Sequence, residues 1–493
     1  MRLCSFPKGR ADVGHLASYW HCLKSCYLRR MDARRRVVVA ANRGPYRHGR
    51  TAGGAAKIMR SAGGLVTALD PVLRGRGGTW VALHEPSAPD AAECVCGYDL
   101  AYVALGPHMR RGYYHGVSNG LLWPLLHSFV PTIRDGEVPW RSYVSANTAF
   151  AEEVARQTGS GDLVWIHDYH LMLVPSQVRA AVPNARIGWY CHVPWPGPDI
   201  FRTLPWRSEV IEGLLGADVL GFHTDEYAMN FLRCVDALTA HRIDFSERTV
   251  WVRERPVRAV ASPIGIPTAD VSTLAADPRV AQAATELVEA LGGRRLILGV
   301  DRLDYTKGIP ERIQAFEKLL EERPSLIDEV VFVQVMVPSR IDVRAYAQLK
   351  REVDRLVGKV NSRFARSGRV PIQYLYRNLE PLSLYAHYRA ADVALVTPLR
   401  DGMNLVALEY VAARTECDGV LVLSEFAGAA HYLHHALMVN PYHCRGLRDA
   451  IVAALELSPE EQRRRMETLR LEVAELDVHA WADRFLALLE PTP

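Results

Sequence analysis

Four stretches of the chain put ionisable or anion-binding side chains at the ends of apolar runs. Residues 162–166 run into His167, Asp168 and His170, and residues 187–191 deliver His192. Residues 295–300 end at Asp301, Arg302, Asp304 and Lys307, and residues 391–396 lead through Pro398 to Arg400, Asp401, Gly402, Met403 and Asn404. In an open parallel sheet, ligands lie beyond the carboxyl ends of the strands, so polar groups there are better placed for chemistry than for packing. Asp168 and His192 offer a carboxylate and an imidazole. Arg302 and Lys307 are fixed cations suited to a phosphate dianion. Residues 405–413 have helix-forming composition without a breaker, and the unpaired N–H groups at the start of such a helix make this strand–loop–helix stretch a candidate diphosphate cradle.

These side chains need strands to hold them. Residues 36–41 (RVVVAA) form a β-branched run that stops at Asn42-Arg43-Gly44-Pro45, and 217–223 and 259–266 read as the last strands of the first half. The glycine pair Gly63-Gly64 opens a short apolar helix predicted over 65–69, ahead of Pro71, where backbone could approach a ligand closely. Tyr113, Tyr114 and Trp123 form an aromatic cluster, and Trp140, Tyr143 and Asn147 follow at helical spacing; most such aromatics are core residues. After an Ala-rich helical connector over 267–293, a second series of strands covers 295–300, 329–337 (followed by Arg340), 372–375, 391–396 and 421–425. An amphipathic helix over 478–489 closes the chain. The pattern is α/β with two doubly wound halves, and it implies one cleft between them, with a nucleotide-linked donor on one wall and an acceptor on the other.

Composition bounds the partners. With 493 residues, 49% apolar and 23% charged, the chain is ordinary globular material for two or three domains, and a net charge of +4 gives no reason to expect nucleic acid. The basic run at Arg29-Arg30 and Arg34-Arg35-Arg36 reads as a solvated flank. Nine scattered cysteines give no disulfide framework and suggest a reducing, cytoplasmic compartment. Cys94-Val95-Cys96 lacks a partner pair at zinc spacing, so no metal is expected. No apolar run reaches the roughly 18 residues of a membrane helix, and residues 1–31 do not read as a signal peptide. They read as an extension, with Met1 and Met31 both compatible with the start.

Taken in order, HDYHLMLVP, HVPWPGPDIF, LDYTKGIPER and TPLRDGMNLVALEYVAA resemble the trehalose-6-phosphate synthases, retaining glycosyltransferases of the GT-B architecture. The resemblance covers residues 36–489. It implies two Rossmann-like doubly wound parallel-sheet domains facing across a cleft: an acceptor domain over 32–270, a nucleotide-sugar domain over 271–475, and a C-terminal helix in 476–493 that packs back on the first domain. It further implies transfer of glucose from an NDP-glucose to glucose 6-phosphate, with no tightly bound cofactor. By motif, Arg302 and Lys307 would hold the donor diphosphate, Gly64 would approach it, Asn404, Leu405 and Val406 would offer amides, Glu409 would meet the ribose and Asp401 the glucose hydroxyls. His192 would sit at the reacting end. Asp168 and Trp80 would orient the acceptor sugar, and Arg43, Tyr114, Trp123 and Arg340 would clamp its phosphate.

Two positions depart from the family pattern. Leu408 replaces a lysine, and Leu379 stands near the base where some relatives have an aromatic ring. The donor base stays open among UDP, GDP and ADP, with UDP or GDP favoured. No DxDxT phosphatase motif follows, so a separate phosphatase would act on the product; a homo-oligomer is compatible. Within the family, glucosylglycerol-phosphate synthases and pseudo-glycosyltransferases are rivals, but the Arg43, Tyr114 and Arg340 set favours glucose 6-phosphate. A non-catalytic sugar-phosphate sensor would be expected to lose the donor cations, and they are present.

Overall fold

Apolar runs become strands here because both faces of each sheet are covered, so a continuous Val/Ile/Leu stretch costs nothing in exposure. The computed structural model describes residues 35–50, 56–60, 64–84, 93–95, 97–131, 139–340, 343–366 and 368–490. The extension at 1–31, Arg34, Gly63 and Cys96 lie outside the described residues.

The first domain carries seven parallel strands: β1 (Val37–Ala40), β2 (Gly78–Leu83), β3 (Tyr98–Val103), β4 (Leu163–His167), β5 (Arg186–Tyr190), β6 (Val219–Phe222) and β7 (Arg255–Ala261). They lie side by side in the order 7-6-5-4-1-2-3, and short antiparallel strands extend both edges. The second domain is a six-stranded parallel sheet of β8 (Arg295–Arg302), β9 (Val330–Val337), β10 (Ile372–Leu375), β11 (Ala391–Val396), β12 (Val420–Ser424) and β13 (Leu437–Val439), in the order 10-9-8-11-12-13. Renumbered within its own half, each sheet contains the doubly wound order 3-2-1-4-5-6, in which the winding reverses between the first and fourth strands. The switch points are therefore β1/β4 and β8/β11. Arg302 ends β8, and the loops leaving those four strands contain Arg43, Asp168, Lys307 and Asp401.

Several elements depart from the sequence expectation. The helix expected to end before Pro71 runs from Gly64 to Arg76 with Pro71 inside it. Leu69, Leu73 and Val72 bury their side chains in the core on both sides of the proline, and that packing outweighs the lost backbone hydrogen bond. Strands β2 and β3 had no counterpart in the sequence reading; Gly78–Leu83 is fully buried between β1 and β3.

The last helix, Val478–Leu489, crosses back to the first domain. Trp481 and Phe485 lie with ring centroids 5.0 and 4.9 Å from Trp165 of β4, and the Trp481 indole N–H donates to the Ser262 carbonyl at 3.1 Å. Gly188 and Gly221 leave the room this needs, since a Cβ on either would fall within 3 Å of the Phe485 ring.

Candidate active site

The two switch points face each other around a cavity of about 450 Å³, a size that suits small-molecule ligands. Its wall includes Arg43, Tyr114, Trp123, Asp168 and His192 from the first domain, and Arg302, Lys307, Arg340, Asp401, Asn404, Leu405, Val406 and Glu409 from the second. Of the candidates named from sequence, Gly64 and Trp80 are not among the lining residues. Gly64 begins the helix whose next two residues, Leu65 and Val66, do line it. Trp80 is fully buried within the sheet, and its indole N–H is spent on the Arg43 carbonyl at 3.2 Å. It supports the Arg43 loop from beneath.

On the second-domain wall the loop after β11 is held by its own carboxylate. Asp401 accepts from Lys307 Nζ at 2.5 Å, the Asn404 amide at 2.9 Å and the Gly402 N–H at 2.9 Å. Burial pushes its carboxyl up, but Lys307, then His127 and Arg302, outweigh that and hold it below the ordinary carboxylate range. Asn404 caps the helix Leu405–Ala413 at φ 73°, but its side chain goes to Asp401 and makes no cap hydrogen bond. The first amides of that helix have no intrahelical acceptor and lie where Asn404, Leu405 and Val406 line the cavity. One turn further on, burial raises the Glu409 carboxyl to about 7, with the Tyr388 hydroxyl donating to it at 3.0 Å. Leu408 is fully buried in the core, and Leu379 is nearly so.

The first-domain wall presents a different chemistry. His192 Nε2 and His167 Nδ1 are 3.0 Å apart, so one ring donates and the other accepts, and burial holds both imidazoles below the ordinary histidine range. Burial depresses His192 to about 4 against the opposing effect of Asp168. Asp168 is partly buried, which raises its carboxyl, but the neighbouring His170 and His192 outweigh this and hold it below the ordinary carboxylate range. Its backbone takes φ 75°, fixed by its N–H on the Tyr190 carbonyl at 2.7 Å and by the Trp189 indole on its own carbonyl at 3.2 Å. Asp168, Arg340 and Asn404 are three of the seven non-glycine residues with positive φ among the described residues, and all three line this cavity. Such conformations cost about 1 to 3 kcal/mol each and persist where surroundings over-determine them.

Arg43 donates to the Tyr114 hydroxyl at 3.0 Å. Burial alone would raise that phenol, but Arg43 and Arg340 lower it overall. Arg340 crosses between the domains: its guanidinium sits 4.1 Å from the Trp123 ring centroid and donates to Tyr169 Oη at 3.3 Å, while its other end pairs with Asp304 at 3.3 Å. Closure also depends on Gly402, where a Cβ would lie 2.4 Å from the His192 carbonyl oxygen. The Tyr227 and Tyr432 hydroxyls complete it, donating to the carbonyls of Asp401 at 3.1 Å and His223 at 2.5 Å.

The arrangement can hold two phosphate-bearing ligands with a sugar carbon between a neutral imidazole and two carboxylates. Among the described residues, no group of three or more His, Cys, Asp or Glu is placed to hold a metal ion, and no helix is long and apolar enough to cross a membrane.

The family model described as glycosyltransferase family 20 matches residues 35–491. The chain belongs to this family. A trehalose-6-phosphate synthase of Mycobacterium sp. (strain JLS) is 44% identical over 466 residues, spanning 92% of this chain and 96% of its own. The alpha,alpha-trehalose-phosphate synthase (UDP-forming) of Burkholderia xenovorans, solved in complex with glucose 6-phosphate, superposes with a TM-score of 0.85 at 33% identity, covering 92% of this chain and 100% of that one. The E. coli protein solved with UDP-2-fluoro glucose superposes with a TM-score of 0.84 at 33% identity, covering 93% and 100%. The two Rossmann-like sheets across one cleft are the GT-B architecture.

Some lining residues of this family 20 glycosyltransferase had no role in the sequence reading. Asn42, Tyr169 and His223 all line the cavity. His223 follows the β6 run just as His192 follows β5, and that signal was available.

Proposed function

We propose that this chain transfers glucose from a nucleoside-diphosphate glucose to glucose 6-phosphate, giving α,α-trehalose 6-phosphate and a nucleoside diphosphate with retained configuration. The observation that carries the reading is the pair of cationic walls around one cavity: Arg302 and Lys307 beside a helix N-terminus, and Arg43 and Arg340 beside Tyr114 and Trp123. A transferase with a single phosphorylated substrate needs only the first.

In this reading Arg302, Lys307 and the amides of Leu405 and Val406 hold the diphosphate, Gly64 borders it, and Glu409 accepts from the ribose. Asp401 bonds the transferred glucose and shares Lys307 with the diphosphate. Asp168 orients the acceptor sugar, and Arg43, Tyr114, Trp123 and Arg340 grip its phosphate. Trp80 acts only through Arg43. The acceptor's anomeric hydroxyl attacks C1 on the face the diphosphate leaves; the C1–O bond to phosphate breaks, and the hydroxyl proton passes to the departing phosphate oxygen. Fixed cations at that oxygen stabilise the growing negative charge, usually the largest catalytic contribution. A neutral His192 adds no positive charge beside an oxocarbenium-like carbon.

The donor is UDP- or GDP-glucose, with ADP-glucose also open. The acceptor wall is built from the domain over residues 32–270 together with Arg340, the donor wall comes from the domain over 271–475, and the helix in 476–493 braces the first domain. The enzyme works in the cytoplasm, as a homo-oligomer or alone, and a separate phosphatase acts on its product. Incubation with glucose 6-phosphate and each NDP-glucose, followed by NMR of the product, tests the reading. An α,α-linked disaccharide phosphate is expected; binding of both ligands without nucleotide release overturns it in favour of a sensor.

A further inference from the structure

Asp304 does not itself line the cavity, yet it links the Lys307 turn to Arg340, and both of those residues do. It is completely buried, and its two carboxylate oxygens serve different elements. Oδ1 accepts from the backbone N–H and the hydroxyl of Thr306, both at 3.1 Å, and so caps the turn that carries Lys307. Oδ2 accepts from Arg340 Nη1 at 3.3 Å and from the Tyr346 hydroxyl at 3.1 Å. Arg340 in turn lies against Trp123 and Tyr169 of the first domain. The same turn is gripped from below by Arg312, fully buried, which donates to the Lys307 carbonyl at 2.6 Å and to Asp301 at 2.7 Å. The turn therefore has one anchor that no ligand meets and one, Asp304, that shares its charge with a residue on the opposite, acceptor-facing surface.

We infer that Asp304 is a positioning residue that couples occupancy of the Arg340 wall to the geometry of the Lys307 turn, so that the phosphorylated acceptor and the nucleotide bind cooperatively. The inference rests on the function proposed above. A phosphate on Arg340 competes with Asp304 for the guanidinium; the carboxylate is then redistributed toward Thr306, and the Lys307 turn is held more firmly for the diphosphate. A residue that only capped the turn would affect nucleotide binding equally with and without acceptor.

The experiment is calorimetric titration of UDP and GDP into the full chain, with and without saturating glucose 6-phosphate, for wild type, Asp304→Asn and Thr306→Val. Asparagine keeps an oxygen for Thr306 and faces Arg340 with a donor, breaking the link from the acceptor side. Valine removes only the hydroxyl on the donor side. Wild type is expected to bind nucleotide at least about fivefold more tightly with acceptor present, the lower end of ordinary coupling between sites. Each variant should lower that ratio to below about twofold, while the far-ultraviolet circular dichroism stays native. Thr306→Val keeps the inference testable if Asp304→Asn fails to fold. Variants that retain the wild-type ratio, or a wild type with a ratio of one, overturn the coupling while leaving the proposed function intact. A wild type that binds glucose 6-phosphate at no concentration removes the proposed function and the coupling together.

Discussion

Removing the Lys307 ammonium tests both the electrostatics and the architecture of the site. Lys307 and Asp401 are 2.5 Å apart with side chains only 11% and 13% exposed, so each is the other's main compensation for burial. Lys307→Ala leaves the Asp401 carboxylate with the Gly402 N–H and the Asn404 amide but no cation at contact distance. Breaking a buried pair from one side costs about 3 to 5 kcal/mol, and because two neutral donors remain we expect the lower end, about 3 kcal/mol. The loss to catalysis is separate. By analogy with deleting one oxyanion donor, about 2.7 to 4 kcal/mol of transition-state stabilisation disappears; we expect kcat to fall at least roughly tenfold, a floor below that analogy. The double variant Lys307→Ala/Asp401→Asn separates the two effects. Neutralising the stranded carboxylate should recover most of the stability in urea melts while turnover stays low, since the diphosphate still lacks its cation. Near-wild-type turnover in Lys307→Ala would refute the assignment, and a double variant no more stable than the single one would refute the account of the pair.

Three further outcomes follow from the same geometry. Tyr114→Phe removes the hydroxyl that accepts from Arg43 at 3.0 Å; a bond to a charged group is worth about 1.5 kcal/mol or more, so KM for glucose 6-phosphate should rise roughly tenfold in steady-state assays while KM for the nucleotide sugar stays put. Burial raises Glu409 to about 7 from an ordinary 4.5, so the native state holds a proton that the unfolded chain releases; its contribution to stability is present below about 4.5 and is lost as pH rises through 7, and Glu409→Gln should abolish that slope in melts between pH 5 and 8. Nucleotide affinity should tighten over the same rise, because the ribose hydroxyls donate to the carboxylate form. Trp481→Ala empties a fully buried site between Trp165, Tyr190 and His192, and a cost of about 3 to 5 kcal/mol should appear as a lower urea midpoint.

What the sequence made legible was the type and position of groups along the chain. Runs such as 391–396 and 295–300 are strands because they are buried on both faces, and the residues that end them reach the cavity because strand ends of one sheet share an edge. Features decided by tertiary packing are not legible in the chain itself. The helix over 65–69 reads as stopping ahead of Pro71, yet it continues because core packing on both sides of the proline holds it. Strand β3 went unread because Asp99 interrupts its apolar run on the exposed side and no reactive group follows it. Pairings across long separations were equally hidden: Lys307 meets Asp401 from 94 residues away, and Arg340 finds Trp123 in the other domain.

Those pairings also explain how so many like charges share one cavity. Four cations line it, Arg43, Arg302, Lys307 and Arg340. Lys307 is balanced by Asp401 and Arg340 by Asp304, each through a bond shorter than 3.5 Å. Among the described residues Arg43 and Arg302 make no ion pair: Arg43 meets only the Tyr114 hydroxyl, and Arg302 is exposed with its guanidinium 5.8 Å from the Trp123 ring centroid. One unpaired cation thus stands on each wall. The paired ones sit where a carboxylate can hold them in place before any ligand arrives, which lowers the cost of organising the site. The unpaired ones supply attraction that no protein group has already used. A diphosphate at Arg302 and a monophosphate at Arg43 would each complete a charge balance that the fold leaves open, and the sugar carbon between them would be held by groups that carry no competing positive charge.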